Sequence, residues 1–353
     1  MAFPNTPIYL VVSAILLGSN LAWFTSNSNS LAQSPNNPGV FSPESPPPNQ
    51  DLLPSQRRQQ ESQIRASDFR VTALETDATG DLWVGSWLGL TRLNPKTGDI
   101  ISRVSIPNYT IDSLARDRVG SIWVGTYEGL LKVDPKTNQL TNYNYSLPSN
   151  RVLSLLVDNR GYLWVGSDRG LALISPEQGF KISTIQELPG ISANALTLDA
   201  QGTMWVGTLQ GLVRVDTANS RVIGRIRNLP GGIVQTMTLD SDGKLWVGTP
   251  SSLLVIDPQS QDILRSVTPL QGRNVTSVSF AEGGIVWVGT KSGLLKVRAN
   301  NGTLLAEIPN LPSSHILALA PNTADKVWIG TSEGLAWLSL STGRVNHHLA
   351  FVE

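Results

Sequence analysis

The chain has 353 residues, with 27 basic and 27 acidic side chains and a formal charge of zero. That balance supplies no long-range attraction for a polyanion, so nucleic acid is not an expected partner. Cysteine is absent, which excludes disulfides, thiolate metal sites, cysteine nucleophiles and a cysteine-borne lipid anchor.

Residues 1–32 read as a signal peptide or N-terminal membrane anchor. Ile8 to Phe24 is a mostly apolar run of 17 residues, broken by Ser13, Gly18, Ser19 and Asn20. Ser30-Leu31-Ala32 then offers small residues at the −3 and −1 positions of a cleavage site before Gln33. Against that reading, no Lys or Arg precedes Arg57. The expected location is therefore outside the cytoplasm, periplasmic or anchored on the outer side of the inner membrane, with membrane contact only through this segment. Residues 33–67, rich in Pro, Gln, Asn and Ser, read as a disordered linker, because they cannot bury enough apolar surface to offset the entropy of ordering.

From residue 68 onward the chain repeats. Trp83, Trp123, Trp164, Trp205, Trp246, Trp287 and Trp328 follow one another at one step of 40 and five of 41 residues. Each is followed two places on by Gly and then by Ser or Thr. The copy from Val152 to Ile185 shows the outline: an alternating run, a tight turn at Asp158–Gly161, a second strand around Trp164, a turn ending at Gly170, a third strand, a turn at Ser175–Gly179 and a last strand. Four strands of about six residues and four short connections make up the period. Such a meander cannot cover both its faces alone, so the copies must stack around a ring. The predicted fold is all-β, a seven-bladed β-propeller of four-stranded antiparallel blades over residues 68–353.

In this frame each Trp packs between blades, and the Asp six places before it (Asp77, Asp117, Asp158, Asp199, Asp240) accepts backbone N–H groups in the first hairpin turn. A calcium role for these carboxylates is disfavoured, because each blade offers one where calcium wants six to eight oxygens. Blades six and seven place Ala281 and Asn322 at the Asp position, and blade five has Ser252 where the others have the later Gly. These three are expected to be the looser blades. Ring closure has two solutions: blade seven completes itself with Val345 to Phe351, or Ile64 to Phe69 adds a strand beside it.

The string Asp-x-x-Gly-x-Leu-Trp-Val-Gly-Thr-x-x-Gly-Leu, seen in Asp117 to Leu130 with Ile122 for Leu, resembles the two-component-regulator propeller repeat, and does so in all seven copies. The resemblance implies a sensor region of the kind found outside the membrane in histidine kinases and hybrid regulators, detecting carbohydrates or other extracellular ligands. No phosphoacceptor or ATP-binding region accompanies the repeats here, so the expectation is a propeller that hands its signal to a separate membrane sensor kinase or other protein partner. The repeats also resemble those of virginiamycin B lyase, which implies elimination with histidine and bound magnesium. Only His315, His347 and His348 exist here, and adjacent strand residues point to opposite faces.

Function is expected where the copies differ. Connections between second and third strands share a face with those between blades, and propellers bind through variable loops on a rigid ring. On that face Phe69, Trp87, Tyr109 and Tyr127 all belong to blades one and two, flanked by Arg70, Glu128, Arg151, Asp168 and Arg169. Aromatic faces beside charged hydrogen-bonding groups suit a carbohydrate or a peptide. Glu128 and Asp168 could also form the carboxylate pair of a carbohydrate-active hydrolase, but Arg151 and Arg169 would keep both ionised. No catalytic residue, metal site or cofactor is assigned from the sequence.

Overall fold

In the computed structural model the described residues are 68–106, 110–143 and 146–351. They form seven antiparallel sheets of four consecutive strands each. Blade one is typical, with strands Val71–Thr76, Leu82–Ser86, Gly89–Leu93 and Ile100–Val104. The inner strands of the other blades are Ile111–Arg116, Val152–Val157, Ala195–Leu198, Thr236–Leu239, Val275–Ala281 and Ile316–Ala320. The only helices among the described residues are single 3-10 turns at Thr268–Leu270 and Leu349–Phe351. The expected export segment and linker lie outside the described residues, among which no helix is long and apolar enough to cross a membrane.

The repeat follows from what each Trp does. All seven indoles are fully buried, with exposures of 0–1%. Each packs into an apolar cluster with the next blade: Trp83 with Ile111, Ile122 and Val124, and Trp164 with Met204, Val206 and Val213. Burial of an indole contributes about 4–6 kcal/mol gross. The Gly two places on permits that approach. A Cβ at Gly125 would stand 2.6 Å from Val152 Cγ1, so only hydrogen fits between these blades.

The Asp of the first turn has two functions, of which the sequence showed one. Oδ1 of Asp117 accepts the N–H groups of Val119 and Ser121 at 3.1 and 2.8 Å, as a turn acceptor should. Its Oδ2 accepts the indole N–H of Trp123 at 3.0 Å. The same clasp joins Asp77 to Trp83, Asp158 to Trp164 and Asp240 to Trp246 at 2.9–3.0 Å. In blades six and seven, where Ala281 and Asn322 replace Asp, the indole nitrogens of Trp287 and Trp328 are buried without a partner. Trp205 is also unpartnered, although Asp199 holds its turn. Blade seven departs further, with Asn322, Ala324 and Asp325 in the left-handed region at φ of 56–58°.

Blade seven is completed by its own outer strand, Val345–His347. Of the alternative closing segment, Ile64 to Ser67 lie outside the described residues, and Phe69 is not in a strand. The seam between blades seven and one is held by side chains instead. Val71, Leu82, Val84 and Leu93 share one buried cluster with Trp328, Leu335 and Phe351. Lys326 Nζ donates to the carbonyls of Pro95 and Lys96 at 2.8 and 2.6 Å. His348 Nε2 lies 2.7 Å from the Gly98 carbonyl, while His347 Nε2 lies 2.8 Å from that of Asn310, so the two rings point to opposite sides as expected.

Candidate binding face

The Ser or Thr that ends each second strand clamps the loop that follows. Thr126 Oγ1 donates to the Gly129 carbonyl at 2.8 Å and accepts the Glu128 N–H at 3.2 Å. Thr208 and Thr331 repeat the arrangement. The clamp fixes a two-residue loop whose side chains project from a rigid base. Backbone bonds then tie each loop to the entry of its own inner strand: Tyr127 N to Thr110 O, Asp168 N to Arg151 O, Lys291 N to Asn274 O and Ser332 N to His315 O, at 3.0–3.3 Å. Inter-blade and second-to-third-strand connections thus share one face.

The sequence-predicted residues fall into separate groups on this face. Phe69 and Trp87 meet edge to face with centroids 5.5 Å apart, and Trp87 keeps 36% of its surface exposed. Tyr127 is 55% exposed, and the Arg151 guanidinium lies over its ring at 5.4 Å. No ring contact joins Trp87 to Tyr127 among the described residues, so the aromatics form two stations rather than one cluster. Arg70 is held by Asp68 through a bidentate ion pair, with contacts of 2.5–3.0 Å. That hydrogen bond pulls the Asp68 carboxyl below its ordinary value and raises the Arg70 guanidinium. Asp168 is half-buried, and its Oδ1 has no partner. Glu128 and Arg169 are exposed. Tyr109 lies outside the described residues.

Sequence reasoning missed the channel wall below this rim. Eleven places before each repeat Trp, at or just before the start of the inner strand, stand Thr72, Asp112, Leu153, Asn194, Gln235, Thr276 and Leu317. Thr72, Asn194 and Thr276 each donate across to a carbonyl of the next blade, that of Ile111, Val234 or Ile316. Asp112 occupies the equivalent place and makes no such bond. Burial raises its carboxyl, opposed by the charges of Arg151 and Arg70. On the inner strand of blade one, burial pushes the Glu75 carboxyl up to about 7, opposed by Arg116. The clue in the sequence was simple: Glu75, Asp112 and Arg116 are the only charged residues in the seven inner strands. No group of three or more His, Asp or Glu side chains among the described residues could hold a metal ion. Burial and Lys291 lower the imidazole of His315 at the mouth of blade seven.

Comparison with known proteins agrees with this architecture. The family described as two component regulator propeller matches residues 105–128, 146–169 and 228–251. No curated protein matches the chain. Among solved structures, it resembles the extracellular domains of two proteins assigned to hybrid two-component systems of B. thetaiotaomicron. These are 20% and 21% identical, with TM-scores of 0.64 and 0.65 over 74% and 77% of this chain. The chain spans about two fifths of their length, at 39% and 40%. It also resembles a catalytically inactive virginiamycin B lyase from Staphylococcus aureus in a structure with quinupristin. That protein is 15% identical with a TM-score of 0.66, covering 77% of this chain and 95% of the lyase. At these identities the likeness is one of fold.

Proposed function

Because the chain carries two component regulator propeller repeats, we propose that it is an exported, non-catalytic binding propeller. It recognises a ligand or partner protein on the rim of blades one to three and works with a separate membrane sensor kinase. The observation that carries this reading is a pair of aromatic stations on one clamped face, Trp87 packed edge-on against Phe69 and the exposed Tyr127 beneath the Arg151 guanidinium. Two fold relatives are described as extracellular domains of hybrid two-component systems, which supports both an extracytoplasmic location and a signalling partner.

The lyase likeness supports a second reading, an eliminating enzyme, because the match spans nearly all of that protein. The histidines argue for the first reading. His347 and His348 are engaged with carbonyls at blade seams, and His315 stands alone at the mouth of blade seven. The discriminating experiment is the double variant Trp87→Ala with Tyr127→Ala. Screened against a glycan array and solubilised envelope proteins, it loses binding that the natural chain shows, with a melting temperature within a few degrees. Retained binding would refute the rim assignment, and turnover of a cyclic depsipeptide ester by the natural chain would establish the enzyme.

A further inference from the structure

Charge inside this propeller is confined to one side. Of the residues in the seven inner strands, only Glu75, Asp112 and Arg116 are charged, and all belong to blades one and two. The inner strands of the other five blades are neutral. A ring evolved only to close on itself has no need of this asymmetry, because Thr72, Asn194 and Thr276 show that a neutral donor at the Asp112 position ties adjacent blades together. An aspartate there forfeits that inter-blade bond.

Asp112 and Arg151 are also unmatched within the protein. Asp112 is half-buried, yet no salt bridge or side-chain hydrogen bond reaches it among the described residues. Arg70 is already neutralised by Asp68. The Arg151 guanidinium lies over the Tyr127 ring at 5.4 Å, and none of its side-chain N–H groups has a protein acceptor among the described residues. Arg151 and Asp112 interact electrostatically but do not close into an ion pair. An unmatched carboxylate and an unmatched planar fork, held apart beside an exposed aromatic ring, are complementary to a ligand with the reverse charges a short distance apart. A neutral sugar would leave both charges without a counter-charge. A purely anionic ligand would face Asp112.

We propose that the channel mouth at blades two and three is a zwitterion site, in which Asp112 takes the ammonium and Arg151 the carboxylate of a free α-amino acid, with Tyr127 beside its side chain. This assignment rests on the rim reading above and names its ligand. The probes are the common L-amino acids, each titrated calorimetrically into the full chain, together with the α-amide and N-acetyl derivative of any that binds. At least one free amino acid binds, and both derivatives weaken it by about tenfold or more. Asp112→Asn, nearly isosteric, weakens the free amino acid about tenfold and narrows its advantage over the N-acetyl form. Arg151→Gln does the same relative to the amide. Failure of every amino acid to bind, or equal affinity in both variants, overturns the zwitterion site. If a glycan or protein still binds through Trp87 and Tyr127 in the Asp112→Asn variant, the rim reading survives while this assignment falls. If the rim double variant leaves that binding intact, the rim reading falls on its own.

Discussion

Blades one and two share their strand outline with blades six and seven but differ in both their joints and their surfaces. A cation lies over the indole in all four, Arg92 on Trp83, Lys132 on Trp123, Lys296 on Trp287 and Lys326 on Trp328 at 5.0–5.7 Å, but in the first pair each indole is also clasped by the turn aspartate. In the second pair the aspartate is gone and two indole nitrogens are orphaned. The same first pair carries all the inner-strand charge and the exposed Trp87 and Tyr127. Polar groups on the channel wall cost stability through desolvation. They sit in blades whose indoles keep the aspartate clasp, which teaches that one repeat can diverge in its polar side chains while packing holds the ring.

The comparison is broken most strongly at the clasp. Asp117→Ala leaves two turn N–H groups, the Trp123 indole and Lys132 without their acceptor, a loss of about 2–4 kcal/mol by denaturant melts. A loss below about 1 kcal/mol would show that the clasp is ornamental and that apolar packing alone sets the blade interface.

The channel charge should be visible as a pH slope. Glu75 has an ordinary value of 4.5, and burial pushes it up to about 7 in the folded chain. Between those values the folded state keeps a proton that the unfolded state has released, so stability falls as pH rises through the window and levels off above it. Glu75→Gln removes its share of that slope and raises stability above neutrality by about 1–3 kcal/mol. An unchanged slope would place the titration elsewhere. Asp112→Asn acts in the same direction and less strongly, its carboxyl being raised by burial against two arginines.

Restoring the missing acceptor sharpens the contrast from the other side. Ala281→Asp supplies a partner for the Trp287 indole and gains about 1 kcal/mol. The smallest expected change is in the rim double variant at Trp87 and Tyr127, whose melting temperature stays within a few degrees because both rings are partly exposed. A large fall would reassign those rings to structure.

Most of the architecture was readable from the chain. The interval between tryptophans, the Asp–Gly turns and the two-residue alternation determine seven four-stranded blades, because each is a local requirement of strand and turn geometry repeated until it closes. The loops sharing one face were equally legible, since an antiparallel meander returns to the same end at alternate turns. The candidate residues Phe69, Trp87, Tyr127 and Arg151 could be placed on that face, but not their partners: the edge-on packing of Phe69 against Trp87 lies within blade one and the Arg151 guanidinium reaches over Tyr127 from the next blade, and both depend on distances between residues far apart in the chain.

The tertiary structure alone decided four things. It gave each turn aspartate its second bond to an indole, and it closed the ring by side chains at the seam. It separated the aromatics into two stations, and it brought Asp112 and Glu75 into a channel where burial changes their acidity. The clasp depends on how each indole is turned within its own blade, and the other three on how far one blade stands from the next. That spacing is set by the packed tryptophans of the whole ring, and no single repeat encodes it.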